Sequence, residues 1–291
     1  MSDYIVRAIA DNGNIRAFAS LTTDTVEEAR CRHKSSPVAT KALGRLLTAA
    51  GIMGDMMKGE DDLLTLIIRG KGPLEGITVT ADSKADVKGY AYVPDITLPE
   101  RDGEVDVSGV IGEGTFQVIM DLGLKEPYVS TINLVNSQID TDIAYYYSSS
   151  EQIPSAVSLD VCLDSSGKVV AAGGFFIQLM PFADTSLIDK INEKIQELPK
   201  LSLLLEMGKT PEDILNMILG DMDLEITQKV PTRFFCNCSK ERVASAIISI
   251  GKKDLEEIIK DNEPIEVKCD FCSTYYNYSV EDLKELYNQA K

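Results

Sequence analysis

Histidine is nearly absent from the 291-residue sequence: His33 stands alone. That excludes any mechanism needing two imidazoles, including a two-histidine metalloprotease site. Long apolar runs are missing too. The longest apolar-rich stretch, residues 169–180, is broken by Gly173, Gly174 and Gln178, and a membrane-spanning helix needs roughly 18–20 consecutive apolar residues. No membrane span is expected. The opening residues Met1, Ser2, Asp3, Tyr4, Ile5 and Val6 lack the basic-then-apolar order of a secretory leader, so the expected location is the cytoplasm. Positive charge is scarce. Lys and Arg total 29 against 46 Asp and Glu, a net charge of −17, the wrong sign for a nucleic-acid binder whose phosphate contacts need clustered cations. The remaining composition, 44% apolar and 26% charged, is that of a globular protein with length enough for one large domain or two unequal ones.

Cysteine is also sparse, but unevenly placed. Cys31 and Cys162 stand alone, whereas Cys236, Cys238, Cys269 and Cys272 crowd near the C-terminus. In a chain expected to be cytosolic, such thiols are read as metal ligands or redox groups before a static disulfide framework. Cys236-Asn237-Cys238 and Cys269-Asp270-Phe271-Cys272 are separated by 30 residues, and four thiolates suit tetrahedral zinc. Each pair is also close enough to form a disulfide, and a Cys-x-Cys disulfide closes a small, readily reduced ring. Zinc joins the two pairs across the intervening loop, whereas local disulfides join each pair only to itself. Oxidation would thus remove the long-range closure of the module. On these grounds a redox switch and a static zinc ribbon remain equally open.

The hydropathy pattern predicts an α+β protein in three parts. Residues 1–180 read as a sheet-and-helix domain. Pro37 opens a helix whose face carries Ala39, Ala42, Leu43, Leu46, Leu47, Ala50 and Met53, small enough for close packing on a sheet. Strands are expected at residues 63–69, 77–81, 87–93, 105–111, 116–120 and 129–135, with a short helix at 138–147. Two further strands follow, the alternating Val157, Leu159, Val161 and Leu163, then 169–180, expected to close the sheet. Residues 181–231 read as a helical linker, in which 185–219 show only helical periodicity and Thr210-Pro211-Glu212-Asp213 supplies a cap, a first-turn proline and acidic residues. These short helices either complete the N-terminal core or dock reversibly as a linker. Residues 232–291 form a small module with helices over about 239–250, 253–261 and 279–289 and a strand at 264–268, a thin core that a metal would staple.

At Phe235-Cys236-Asn237-Cys238-Ser239-Lys240-Glu241-Arg242 together with Cys269-Asp270-Phe271-Cys272, the sequence closely resembles the 33-kDa heat-shock chaperones (heat-shock protein 33). Arg32-His33 with Pro37, the run from Ala42 to Arg45, Asp121 to Tyr128, Ser150 to Ser155, and Ala172 to Phe175 match further family blocks in order, covering nearly the whole chain. Ala85 and Ser130 stand where the family would place glycine, and Asn237 departs at the middle of the first pair. The resemblance implies a holdase that is not an enzyme and needs no nucleotide. One zinc is held by Cys236, Cys238, Cys269 and Cys272 in the reduced, inactive state. On oxidation Cys236–Cys238 and Cys269–Cys272 become disulfides, zinc leaves, the linker unfolds and unfolded clients are captured. Homodimerisation on activation, and client release to foldases after reduction, are implied as well.

Other readings weigh less. A thiol-disulfide oxidoreductase using Cys269 and Cys272 wants a thiol at a helix N-terminus, and this pair follows a strand. A structural zinc ribbon on nucleic acid needs basic charge, yet acidic residues outnumber basic ones over 232–291. Cys31, beside Arg30, Arg32 and Lys34, is expected to have its thiol favoured toward ionisation, but is read as a helix-end thiol without a role. Cys162 is placed on the less apolar face of its strand. Gly112-Glu113-Gly114 reads as a turn, and Tyr145-Tyr146-Tyr147 as packing.

Overall fold

Residues 2–96 and 106–290 are described by the structure, a computed structural model, and they divide into two units, Met1–Phe235 and Cys236–Lys291. The first unit opens with β1 (Tyr4–Ala10) and β2 (Ile15–Leu21), then α1 (Thr23–His33) and α2 (Pro37–Asp55). Next come β3 (Leu63–Gly70), β4 (Gly76–Asp82), β5 (Asp86–Ala91), α3 (Val107–Ile111), β6 (Gly114–Asp121), β7 (Tyr128–Asn133) and α4 (Ile139–Ser149). Two long strands, β8 (Ser155–Leu163) and β9 (Val169–Leu179), lead to the short helices α5 (Ser186–Glu197), α6 (Leu201–Glu206) and α7 (Pro211–Leu219). The unit ends on β10 (Glu225–Pro231) and β11 (Arg233–Phe234).

Helix α2 organises this unit because almost no side of it is polar. From Val38 to Asp55 nearly every residue is buried, as expected for a helix hydrophobic all round. Its leucines share one core with Ile5, Phe18, Leu159 and Phe176 on one side and with Leu64, Leu66, Ile77 and Val79 on the other. Those two sets belong to different sheets. One has the order β10-β1-β2-β9-β8, the other β11-β5-β4-β3-β6-β7, so α2 lies between them. Small residues permit the close approach. A Cβ at Gly44 would meet Val26 Cγ1 at 2.5 Å and Val161 Cγ2 at 2.8 Å, from α1 and β8. Gly44→Ala is therefore expected to destabilise the protein despite alanine's helix propensity, since overpacking costs typically 1–3 kcal/mol against a gain of about 1 kcal/mol. A lowered denaturant midpoint at unchanged slope would register it; a raised midpoint would contradict it.

The outer face of the five-stranded sheet is covered by the helical segment. Ile191, Leu201, Leu204, Leu205, Ile214, Leu215, Ile218 and Leu219 pack on Tyr4, Val6, Ala17, Ala19, Phe175 and Ile177 as a core of their own. The segment then re-enters the sheet through β10, antiparallel to β1. At Thr210 the expected cap is a full capping box with Asp213.

Three expectations need correction. Residues 107–111 are α3, not a strand: Asp106 accepts from the Gly109 N–H and caps the turn, overriding an alternating apolar pattern, and residue 105 lies outside the described residues. β9 does not close its sheet but runs between β2 and β8. And β1 and β2 replace a segment in which no strand was expected. Ala85 adopts φ +59°, the left-handed conformation that glycine takes at least cost, whereas Ser130 lies within β7.

The second unit comprises α8 (Lys240–Ser249), α9 (Lys252–Lys260), the hairpin β12 (Ile265–Lys268) with β13 (Tyr275–Tyr278), and α10 (Val280–Gln289). Its buried core is small: Ile247, Leu255, Tyr278, Leu283, Leu286 and Ala290. Ser279 caps α10 in a capping box with Asp282, and the Tyr278 hydroxyl donates to the Lys240 carbonyl at 2.7 Å, tying hairpin to helix.

Candidate metal and redox site

Two local structures present the four thiols. Cys236 and Cys238 lie in the extended segment before α8, whose N-cap Ser239 accepts from the Arg242 N–H. Cys269 and Cys272 form the tip of the β12–β13 hairpin. There the Cys269 N–H donates to Thr274 O at 2.9 Å, and the Ser273 N–H returns to Cys269 O at 2.7 Å. Ser273 takes a left-handed φ of 56° to close this turn.

The four Sγ atoms all lie within 4.8 Å of one another. Cys236 Sγ is 3.9 Å from Cys269 Sγ, and Cys238 Sγ is 3.3 Å from Cys272 Sγ. Tetrahedral zinc with bonds of about 2.3 Å would set its sulfurs about 3.8 Å apart, so the donor set fits in type, number and spacing. Among the described residues no other group of three or more His, Cys, Asp and Glu side chains is placed to hold a metal. All four thiols are free.

The electrostatics also favour a cation. Cys272 is brought down to about 7: burial opposes ionisation, but hydrogen bonds from Thr274 and the neighbouring thiols outweigh it. Cys236 and Cys269 are pushed up, first by burial and then by the sulfurs packed against them. Four sulfurs this close cannot all be thiolates unless positive charge is placed among them.

Two side chains beside the cysteines had escaped the sequence reading. The Tyr276 hydroxyl donates to Cys238 Sγ at 3.0 Å, and the Thr274 hydroxyl lies 3.2 Å from Cys272 Sγ. Both follow the second cysteine pair at even spacing, which in a strand puts them on one face. That alternation was the available signal.

The remaining cysteines lie elsewhere. Cys31 contacts Glu27 and Arg30. Its thiol is pushed up by partial desolvation and the Glu27 hydrogen bond, the reverse of the effect expected from its cationic neighbours. Cys162 is buried, and its Sγ donates to Ser202 O at 3.5 Å. Burial raises it to about 12, because the face expected to be less apolar is roofed by α6. His33 packs edge-on to Phe234. Gly112 takes φ +66° in a turn, and Tyr146 and Tyr147 are core residues.

A family model described as Hsp33 protein matches residues 3–279. The 33 kDa chaperonin of Lachnoclostridium phytofermentans is 52% identical over 291 residues, covering all of both chains. That of Agathobacter rectalis is 51% identical over 287 residues, covering 98% of this chain and 100% of the relative. The crystal structure of the 33 kDa chaperonin (heat shock protein 33 homolog) from Thermotoga maritima superposes with a TM-score of 0.90 at 35% identity, covering 99% of each chain.

Proposed function

The chain belongs to the Hsp33 family of chaperones, and from that premise we propose that it is a redox-regulated, ATP-independent holdase of the cytoplasm. It captures unfolding proteins under oxidative stress and catalyses no reaction. The observation that carries this reading is the convergence of four free thiols, from two segments far apart in sequence, within a unit whose core is thin.

Reduced, Cys236, Cys238, Cys269 and Cys272 would hold one zinc ion. When bound, that ion supplies a cross-link between the two segments and folding free energy on the order of 10 kcal/mol. Under peroxide each zinc-holding thiolate pair would give up two electrons: a Cys236–Cys238 or Cys269–Cys272 bond forms, the O–O bond of one peroxide breaks, and with two protons taken from solvent two waters leave. All four donors are then spent. The thin core of the second unit no longer has its staple, and the helical segment 181–231 undocks to expose apolar surface. Four residues, 232–235, separate β10 from Cys236, so disorder in the second unit would begin close to the strand that returns that segment to its sheet. Dimerisation of the active form, through residues 1–180, belongs to the same reading.

A dithiol oxidoreductase has one observation in its favour, the depressed Cys272 thiol. Yet Cys272 is 3% exposed and lies at a hairpin tip rather than a helix N-terminus, so no substrate disulfide reaches it. The decisive experiment is suppression of aggregation of a thermally unfolding client, followed by light scattering, with and without prior peroxide and without nucleotide. Protection only after peroxide is expected; protection by the reduced form alone, or an absolute need for ATP, would overturn the reading.

Tyr276→Phe separates the metal chemistry from the fold. Removing the hydroxyl that donates to Cys238 Sγ is expected to lower zinc affinity about tenfold, the usual scale for a ligand's hydrogen-bond partner. Competition with a chromophoric chelator measures it, and unaltered affinity would show the contact to be incidental.

A further inference from the structure

The six-stranded sheet ends on β7, which pairs only with β6 among the described residues. Its ladder fixes which backbone groups face outward. The Leu134 N–H donates to Gly114 O at 2.9 Å. With an alternating antiparallel pattern, Ile132, Ser130 and Tyr128 therefore exchange hydrogen bonds with Phe116, Val118 and Met120. Val129, Thr131 and Asn133 lie at the intervening positions and turn N–H and C=O away from β6. The side-chain hydrogen bond from Gln117 to Thr131 agrees, since non-bonded pairs bring side chains closest. All three residues are exposed.

Free edges are ordinarily blunted by charge, proline or a cover. β10, the comparable edge of the other sheet, carries Glu225, Lys229 and Pro231, and β8 is packed by α4 and α6. β7 has none of these: no charged residue occurs from Tyr128 to Ile139. Beside its end an open recess of about 430 Å³ is lined by Ile132, Leu134, Val135 and Tyr145 together with the polar Asn133, Ser149 and Ser150.

We propose that the open edge of β7 captures extended segments of unfolded chains, which add to the sheet as a further strand and place a side chain in the recess beside α4. Backbone groups supply the attraction in such pairing, so sequence demands are loose, as capture of many clients requires. Charge decides against the alternative of a second copy of this chain. Such a copy brings another −17, whereas Asp121 and Glu126 in the turn before β7 and Glu151 bonded to Tyr128 outnumber Lys125 and favour segments with basic flanks. This inference rests on the holdase reading, but the edge is open with the thiols free and belongs to no part of the switch. Pairing at this edge does not change with oxidation but is by itself too weak to protect a client; protection waits for the linker that oxidation exposes, which adds a second contact to the same client.

The probe is a fluorescein-labelled nine-residue peptide of alternating threonine and valine with a lysine at each end, followed by anisotropy on the full chain without oxidant and again after peroxide. Equal affinity in the two states is expected. Methylating alternate backbone nitrogens of the peptide, which keeps its side chains but removes the donors, should weaken binding about tenfold or more. Thr131→Pro should do the same, because proline is tolerated where an edge N–H faces solvent but blocks a new ladder there. Undiminished binding of the methylated peptide to the unaltered protein overturns the proposal, even if Thr131→Pro fails to fold. So does a Thr131→Pro protein that melts like the parent and binds the peptide equally well, whether or not its sedimentation shows that a dimer has been lost. Edge-dependent peptide binding by a protein that protects no client after peroxide supports the edge and sinks the holdase reading alone.

Discussion

Replacing Cys236 or Cys269 by serine is expected to reduce bound zinc from one ion per chain to near none and to unfold most of residues 236–290. The reasoning is energetic. The second unit buries few side chains, chiefly Ile247, Leu255, Tyr278, Leu283 and Leu286, and a core of that size rarely supplies more than about 3–5 kcal/mol. Metal-linked folding in small zinc domains is on the order of 10 kcal/mol, so removing one ligand from either half of the site discards the larger share. Metal analysis of the two purified variants, alongside amide spectra of the second unit, checks both parts. Zinc content equal to the parent's in either variant would refute the four-ligand assignment.

Peroxide-treated, client-protecting protein is expected to show its largest gain in amide hydrogen exchange in α5, α6 and α7, with the interior strands β1, β2 and β9 still protected. Short helices are marginal alone; these owe their order to Leu201, Leu204, Leu205, Ile214, Leu215 and Ile218 packed on the outer face of the five-stranded sheet. In the holdase reading this docking is coupled to the metal-linked folding of the second unit and is the weaker of the two. Truncating Leu205 or Ile218 to alanine, each costing about 2–5 kcal/mol, should therefore give client protection without oxidant. Helices that exchange as slowly after oxidation as before, in protein that protects clients, would refute linker opening and leave the zinc assignment standing.

What could be read in the sequence follows from what carries the signal. The four cysteines were legible because thiols are rare and their spacing is chemistry. α2, α7, α8 and α10 were legible because periodicity and caps agree, as at Thr210 and Ser279. β10 was not, since an exposed edge strand such as Glu225–Pro231 has no apolar face to alternate. β1 and β2 mix alanine and arginine with their apolar residues, and their burial comes from partners far along the chain. α3 shows one cap residue, Asp106, overruling a pattern of alternating valines. Cys31 reversed expectation because its thiol is partly desolvated and meets the Glu27 carboxylate, a contact one helical turn away that sequence adjacency to arginine concealed.

The stretch that carries α5, α6 and α7 has a kinetic meaning. Residues 180–224 leave the five-stranded sheet from β9 and return to it at β10, with β2 and β1 between. The ends of that excursion are thus held three strand spacings apart, roughly 14 Å. While β10 keeps its ladder, the opened segment is a closed loop, not a free tail. Loop entropy rises only slowly with length, so a loop of about 45 residues keeps its ends and its docking face at an effective concentration near the millimolar range. In the holdase reading, re-docking within one chain is then a first-order event whose rate does not depend on how dilute the protein is.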